Sequence, residues 1–296
     1  MTAGIEIEDL ILKVLKAERI DQILDLSNFK TEFRGLLKTF HPDVCSHARA
    51  KEVTDWILRL KDRHENGVTI KDEAGTYTTK GMETVYSGDS SFLKTSHANY
   101  ITLMSWKGRG ADNFRKYIPK SIGGIDNKLQ ASYHQRAVPL TGLTLEQKHV
   151  NWIFSRMLEY AAYMQNIGYS HCGINPESVF VIPENHGIQV SSFYMMTKIG
   201  DKPSGISGMY QSWYPPELFR DKKATPAIDV ELCKKTAISL LGDKSGVGIK
   251  LRKDKNVHQG ILDFLISRHD DAVQCFAEYR TVLGKHFKKE FHVLDL

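Results

Sequence analysis

The apolar residues of this chain change their spacing near residue 75 and again near 145, and that switch constrains the fold more than any other feature. Up to about residue 70 they recur every three or four positions, the period of helices with one buried face. From about 75 the pattern becomes short alternating runs broken by glycine, as strands require, and from 145 the helical period returns. The chain is therefore expected to be α+β, with helices and strands in separate blocks. With 296 residues, 41% hydrophobic and 25% charged, it has apolar material for two domains or one large one, and its composition argues against disorder. No apolar run approaches the length of a membrane span, and the acidic first residues are unlike a secretory signal. Cys45, Cys172, Cys233 and Cys275 are scattered with no C-x-x-C pair, so they read as reduced thiols of a cytoplasmic protein.

In the first block, residues 5–26 carry one amphipathic helix, with Leu10, Ile11, Val14, Leu15, Ile20, Ile23 and Leu24 as its apolar positions. A second helix begins after Ser27-Asn28 and places Phe29, Phe33, Leu36, Leu37 and Phe40 on one face. Lys30, Arg34 and Lys38 recur every four residues on another, exposed face. His41-Pro42-Asp43 follows, where proline ends the helix because it lacks an N–H and disfavours helical geometry in the residue before it. A third helix runs from about Ala48 to a cap at Gly67.

Two helices joined at an exposed HPD turn resemble a J-domain, and FRGLLKTFHPD (33–43) looks like the corresponding run of that family. The resemblance implies a DnaK-type chaperone as partner, with Lys30, Arg34 and Lys38 docking on an acidic surface and His41, Pro42 and Asp43 presented at the turn. The segment between the first two helices is shorter than the family pattern.

In the second block, 75–91 reads as a hairpin around Gly81 and Gly88, 98–106 as a third strand, and 145–168 as a long buried helix. HCGINPESVFVI then stands where a protein kinase has HRDLKPENILI, GMYQSWYPPEL resembles the A-P-E segment, ATPAIDVELCKKTAISLLG the next helix, and RHDDAV a late kinase segment. HVNWIFSRML, WYPPEL and LGKHFKKEF are similar to a bacterial and phage family often labelled DnaJ, which joins a J-domain to a kinase-like domain. The resemblance implies a J-like domain at 1–70, a β-rich kinase-like N-lobe at 71–140 and a helical C-lobe at 141–296.

A kinase holds its phosphates with a strand lysine and a helix acid, orients the nucleophile with a loop aspartate, and binds metal with a loop asparagine and the D-F-G aspartate. On this resemblance the lysine aligns with Met104, the helix acid falls in 115–119 where there is no carboxylate, the loop Asp is Gly173, the Asn is Ser178, and Ser191 or Ser192 replaces the D-F-G Asp. The anchors are retained: His171 packs the loop, Asp229 holds its backbone from below, and Glu217 and Arg268 form a buried ion pair. The expectation is a kinase-like fold lacking catalytic residues, with no cofactor, no metal and no catalytic group assigned. An unorthodox nucleotide site would have to recruit Lys94, Lys107 or Asp201.

Net charge is +5, with basic clusters at Lys250, Arg252, Lys253, Lys255 and at Lys285, Lys288, Lys289. They lack interleaved aromatic residues and read as solvated faces rather than a nucleic-acid site. No H-x-x-x-H pair or G-x-S-x-G elbow is present, and Trp106, Trp152 and Trp213 read as core. Three functions stay open: a non-enzymatic co-chaperone-like adaptor whose kinase-like part binds a protein target, a protein-binding inhibitor or assembly factor with a vestigial HPD turn, and an atypical nucleotide-dependent transferase.

Overall fold

The computed structural model describes residues 2–17, 19–125, 128–288, 290 and 292–294. Residues 1–69 and 70–295 form two compact units. In the first, α1 (Thr2–Lys16), α2 (Phe29–Phe40) and α3 (Ala50–Asn66) enclose Ile11, Val14, Phe33, Phe40, Val53, Ile57 and Leu60. Burying each such side chain stabilises the unit by about 1.5–3 kcal/mol. The first helix is shorter than its apolar pattern suggests. It stops at Lys16, and 3-10 turns occupy Ile20–Gln22 and Leu26–Asn28. There the Arg19 N–H donates to Gln22 Oε1 at 3.1 Å and the Asp25 carboxylate accepts from Ser27 N, so side chains replace the helical ladder while Ile20 and Leu24 stay buried. α2 ends one residue before His41, whose ψ of 132° is the extended geometry that Pro42 demands. Gly67, at φ 79°, stops α3.

The second unit begins within β1 (Val68–Asp72), continues through β2 (Gly75–Lys80), β3 (Glu83–Gly88), α4 (Ser90–Ser105), α5 (Ala111–Arg115), β4 (Ser121–Ile125) and β5 (Lys128–Ser132), and forms a five-stranded sheet of order β1-β2-β3-β5-β4. The expected hairpin is β2–β3, with Tyr77 opposite Tyr86. The expected strand at 98–106 is instead the second half of α4. Asp89 caps that helix by accepting from the N–H groups of Ser91 and Phe92, and Leu93, Tyr100 and Leu103 make its buried face. The alternation within ANYITLMSW is local, and the longer helical period with its cap overrides it.

The remainder comprises β6 (Val138–Pro139), α6 (Gln147–Asn166), β7 (Tyr169–Ser170), β8 (Val179–Ile182), β9 (Gly187–Val190), β10 (Thr197–Lys198), α7 (Pro216–Asp221), α8 (Pro226–Leu240), α9 (Gln259–Ile266) and α10 (Ala272–His286). α6 packs against both α8 and α10, with Ile153, Phe154, Met157, Tyr160, Ala161 and Met164 buried. β6, β8 and β9 make a small antiparallel sheet, and β7 pairs with β10. Trp213 is in the core, whereas Trp106 and Trp152 are half-buried. The four cysteines are buried and unpaired. Lys250, Arg252, Lys253, Lys255, Lys285 and Lys288 are exposed, and Lys289 lies outside the described residues. Among the described residues no helix is long and apolar enough to cross a membrane.

Candidate functional site

The segment 171–178 is buried except for half-buried Glu177 and is tied down by a set of hydrogen bonds, with His171 Nδ1 and Glu177 Oε2 left without partners. Asp229, near the start of α8, accepts from the backbone N–H of His171 at 2.7 Å and of Cys172 at 2.8 Å. Burial pushes its carboxyl up to about 6, against the opposing pull of those two N–H groups. His171 Nε2 meets the Ser191 carbonyl at 2.9 Å, and burial lowers the imidazole to about 4. Ser178 is consumed by the loop itself: its hydroxyl donates to the Gly173 carbonyl at 2.5 Å and accepts from Asn175 N at 3.0 Å. Ser191 Oγ donates to the Ser178 carbonyl at 3.1 Å. A Cβ at Gly173 would overlap the Met195 sulfur, so the space in front of this position is filled.

The turn between β1 and β2 closes over the same region. Asp72 Oδ1 accepts from Ala74 N at 2.9 Å and Gly75 N at 3.1 Å, and its Oδ2 accepts from Ser192 Oγ at 3.2 Å. Glu73 accepts from Ser207 Oγ at 3.0 Å, Gly208 N at 2.6 Å and Tyr194 OH at 3.2 Å. Ser192 holds its hydroxyl there from a left-handed backbone position, φ 60°. Burial raises the Asp72 carboxyl above its usual range. The cavity left beneath the turn is about 270 Å³, and Lys71, Asp72, Glu73 and Glu177 are the charged residues that line it. Three carboxylates against one ammonium give a field that repels phosphate. Nothing in the sequence flagged Asp72 and Glu73, since acids beside a glycine are ordinary turn residues.

Several expected positions move. Met104 is not on a strand: it lies near the end of α4, and its carbonyl accepts from Arg115 Nη2 at 3.4 Å. The third strand is β3, which contains no lysine, and α4, the helix that follows it, contains no carboxylate. In α4 it is Asn99 that reaches the 193–196 segment, donating to the Phe193 and Met196 carbonyls at 2.8 and 3.2 Å. Residues 115–119 run from the end of α5 toward β4. Glu217 and Arg268 do meet, at 2.9 Å, but the pair is not buried: Arg268 is 67% exposed and also contacts Asp270. Its place at the rim, beside a second acid, makes it a minor contributor. Lys94, Lys107 and Asp201 are exposed and none lines the cavity. Among the described residues no cluster of three His, Cys, Asp or Glu is arranged to hold a metal.

No family model matches the chain, and no curated protein matches it. Among solved structures it is similar to vaccinia related kinase 3, with 11% identity and a TM-score of 0.48, over 74% of this chain and 91% of that one.

In the first unit the HPD turn is built differently from the buried loop. The His41 carbonyl accepts from Val44 and Cys45 N–H, closing the turn, and His41 Nδ1 accepts from Asp43 N at 3.2 Å. The side chains remain in solvent, His41 52% and Asp43 86% exposed, and Lys30, Arg34, Lys38 and Pro42 are exposed as well.

Proposed function

We propose that the chain is a non-enzymatic adaptor, in which a kinase-like scaffold at 71–296 binds a protein target and the helical unit at its N-terminus recruits a DnaK-type chaperone through the HPD turn. The observation that carries this reading is the acidic β1–β2 turn. Asp72 and Glu73 are hydrogen-bonded to the segments on either side of the cleft, where a phosphotransfer enzyme needs cations and metal. The Met195 sulfur against Gly173, the lysine-free β3 and the carboxylate-free α4 support it. Retention of the Asp229 bonds to the loop, with the chemistry gone, fits selection on shape. The recruiting half rests on the exposed His41-Pro42-Asp43 beside the exposed basic stripe.

Calorimetric titration with ATP, with and without Mg²⁺ and Mn²⁺, tests the scaffold. No heat of binding up to millimolar nucleotide is the expected result. Saturable, metal-dependent binding would overturn it in favour of an atypical nucleotide-dependent transferase.

A second reading, an inhibitor or assembly factor with a vestigial turn, is favoured by His41 Nδ1 already being engaged by the Asp43 N–H. His41→Gln decides between the two. Loss of chaperone ATPase stimulation supports recruitment, and unchanged biological activity supports the vestigial turn.

A further inference from the structure

The exposed cations Lys250, Arg252, Lys253 and Lys255 surround an apolar tip. Val247 is 50% exposed, Ile249 73%, and Ile266, the last residue of α9, 44%. Gly248 joins the first two and lies against the third: a Cβ there would stand 3.1 Å from an Ile266 methyl. The three residues share one stretch of surface. The tip is firmly held. Asp243, itself buried, accepts from Ser245 Oγ at 2.6 Å and from Gly248 N at 2.9 Å, and Trp213 Nε1 donates to the Ser245 carbonyl at 3.0 Å. Gly248 supplies the left-handed φ of 85° that this turn needs. Residues Ile249–Lys253 then form a 3-10 turn, in which side chains three apart eclipse. Leu251 is buried beneath it, so Ile249 and Arg252 make one outward ridge and Lys250 and Lys253 the other. Arg252 is paired with Asp263 at 2.5 Å, whereas Lys250, Lys253 and Lys255 have no carboxylate partner among the described residues.

We propose that this tip docks an acidic segment of the target protein, which covers Ile249 and Val247 with an apolar side chain and sets carboxylates opposite Lys250, Lys253 and Lys255. Contiguous exposed apolar surface rimmed by charge marks an interaction site, and a tip already fixed in place loses little freedom on binding. Charge selects the partner. Asp254 and Asp263 stand among the cations, so a planar anionic bilayer would press its headgroups on carboxylates as well as on ammonium groups. Three unpaired lysines fall below the roughly four to eight of a lipid-binding cluster. Residues 245–257 contain no Trp, Tyr or Phe to lie at headgroup level or to stack on bases. A protein partner can place acids opposite the lysines alone. The docking rests on the protein-binding reading above and names the surface and the chemistry by which the target is met.

The test is selection of random sixteen-residue peptides displayed on phage against the full chain, followed by fluorescence polarisation with the recovered peptides. Acidic peptides carrying an apolar residue are expected, with binding that weakens as salt is raised. Ile249→Ser and Lys253→Glu should each weaken it about tenfold, the size of one buried aliphatic side chain or one charge-assisted contact, and leave the melting temperature unchanged because both side chains lie in solvent. Recovery of no peptides or of basic ones, or peptides that bind the parent and both variants alike, would overturn the proposal. So would binding to phosphatidylserine vesicles or to a single-stranded oligonucleotide that the two variants abolish. ATP calorimetry is scored separately. Nucleotide binding would sink the scaffold reading and leave the peptide result standing, because neither variant touches the acidic cleft.

Discussion

The loop at 171–178 and the turn at 41–43 are both short, both carry a histidine, and are built on opposite principles. The loop is buried, with His171 and Cys172 N–H groups held by Asp229 and Ser178 spent on its own backbone. The turn secures its backbone with three bonds accepted by His41, from the N–H groups of Asp43, Val44 and Cys45, and leaves its side chains in water. A residue whose polar atoms are all used inside the fold is explained by folding. One that folding leaves free is where recognition has room to act.

That contrast is broken most easily at Asp229. Asp229→Ala would leave two buried N–H groups without an acceptor and should destabilise the second unit by about 3 kcal/mol, read by chemical denaturation. The same site predicts a pH effect. Asp229 ionises near 6 in the fold against an ordinary 3.8, so its contribution is fully present below about pH 4 and lost as pH rises through 6. His171, lowered to about 4 from 6.5, contributes above pH 6.5 and loses that contribution as pH falls through 4. The two slopes oppose each other between pH 4 and 6. Asp229→Asn removes one of them, so between pH 6.5 and 4 the variant should lose ~2–3 kcal/mol more stability than the parent.

Restoring the expected loop acid sharpens the contrast further. Gly173→Asp should cost about 1–3 kcal/mol by overlap with Met195, partly recovered in a double variant with Met195→Ala, and should give no phosphotransfer to a radiolabelled acceptor. Glu73→Ala should cost about 1 kcal/mol and raise amide exchange at Gly208, whose N–H it holds. His41→Gln should change stability by less than about 0.5 kcal/mol, because the imidazole is half in solvent, while abolishing chaperone stimulation if the turn recruits one.

How much of this could be read in the sequence depended on the range of the interaction involved. The three helices of the first unit follow from local apolar spacing, and Pro42 and Gly67 punctuate them by their own backbone geometry. Residues 98–106 misled because nine residues of alternation look like a strand, whereas the cap at Asp89 that settles the matter lies nine residues before the stretch begins. Gly173 was singled out in the sequence, but not what stands in front of it, the sulfur of a methionine 22 residues on. The partners of Glu73, and Ser192 that bonds Asp72, are more than 100 residues away, a distance at which no local pattern speaks. Glu217 and Arg268 were paired by the resemblance and do meet, yet the resemblance made the pair buried, and its exposure is a property of the packed surface alone.

The buried cysteines give each unit a chemical clock. Cys45 lies in the core of the first unit, and Cys172, Cys233 and Cys275 in that of the second. Burial pushes the thiols of the second unit up, Cys275 to about 12, which keeps them protonated and slow toward electrophiles. An alkylating reagent therefore marks a cysteine when the structure around it opens. The rate at Cys45 times the opening of one unit and the rates at the other three time the second, so native thiols alone report whether the two halves come apart together or in turn.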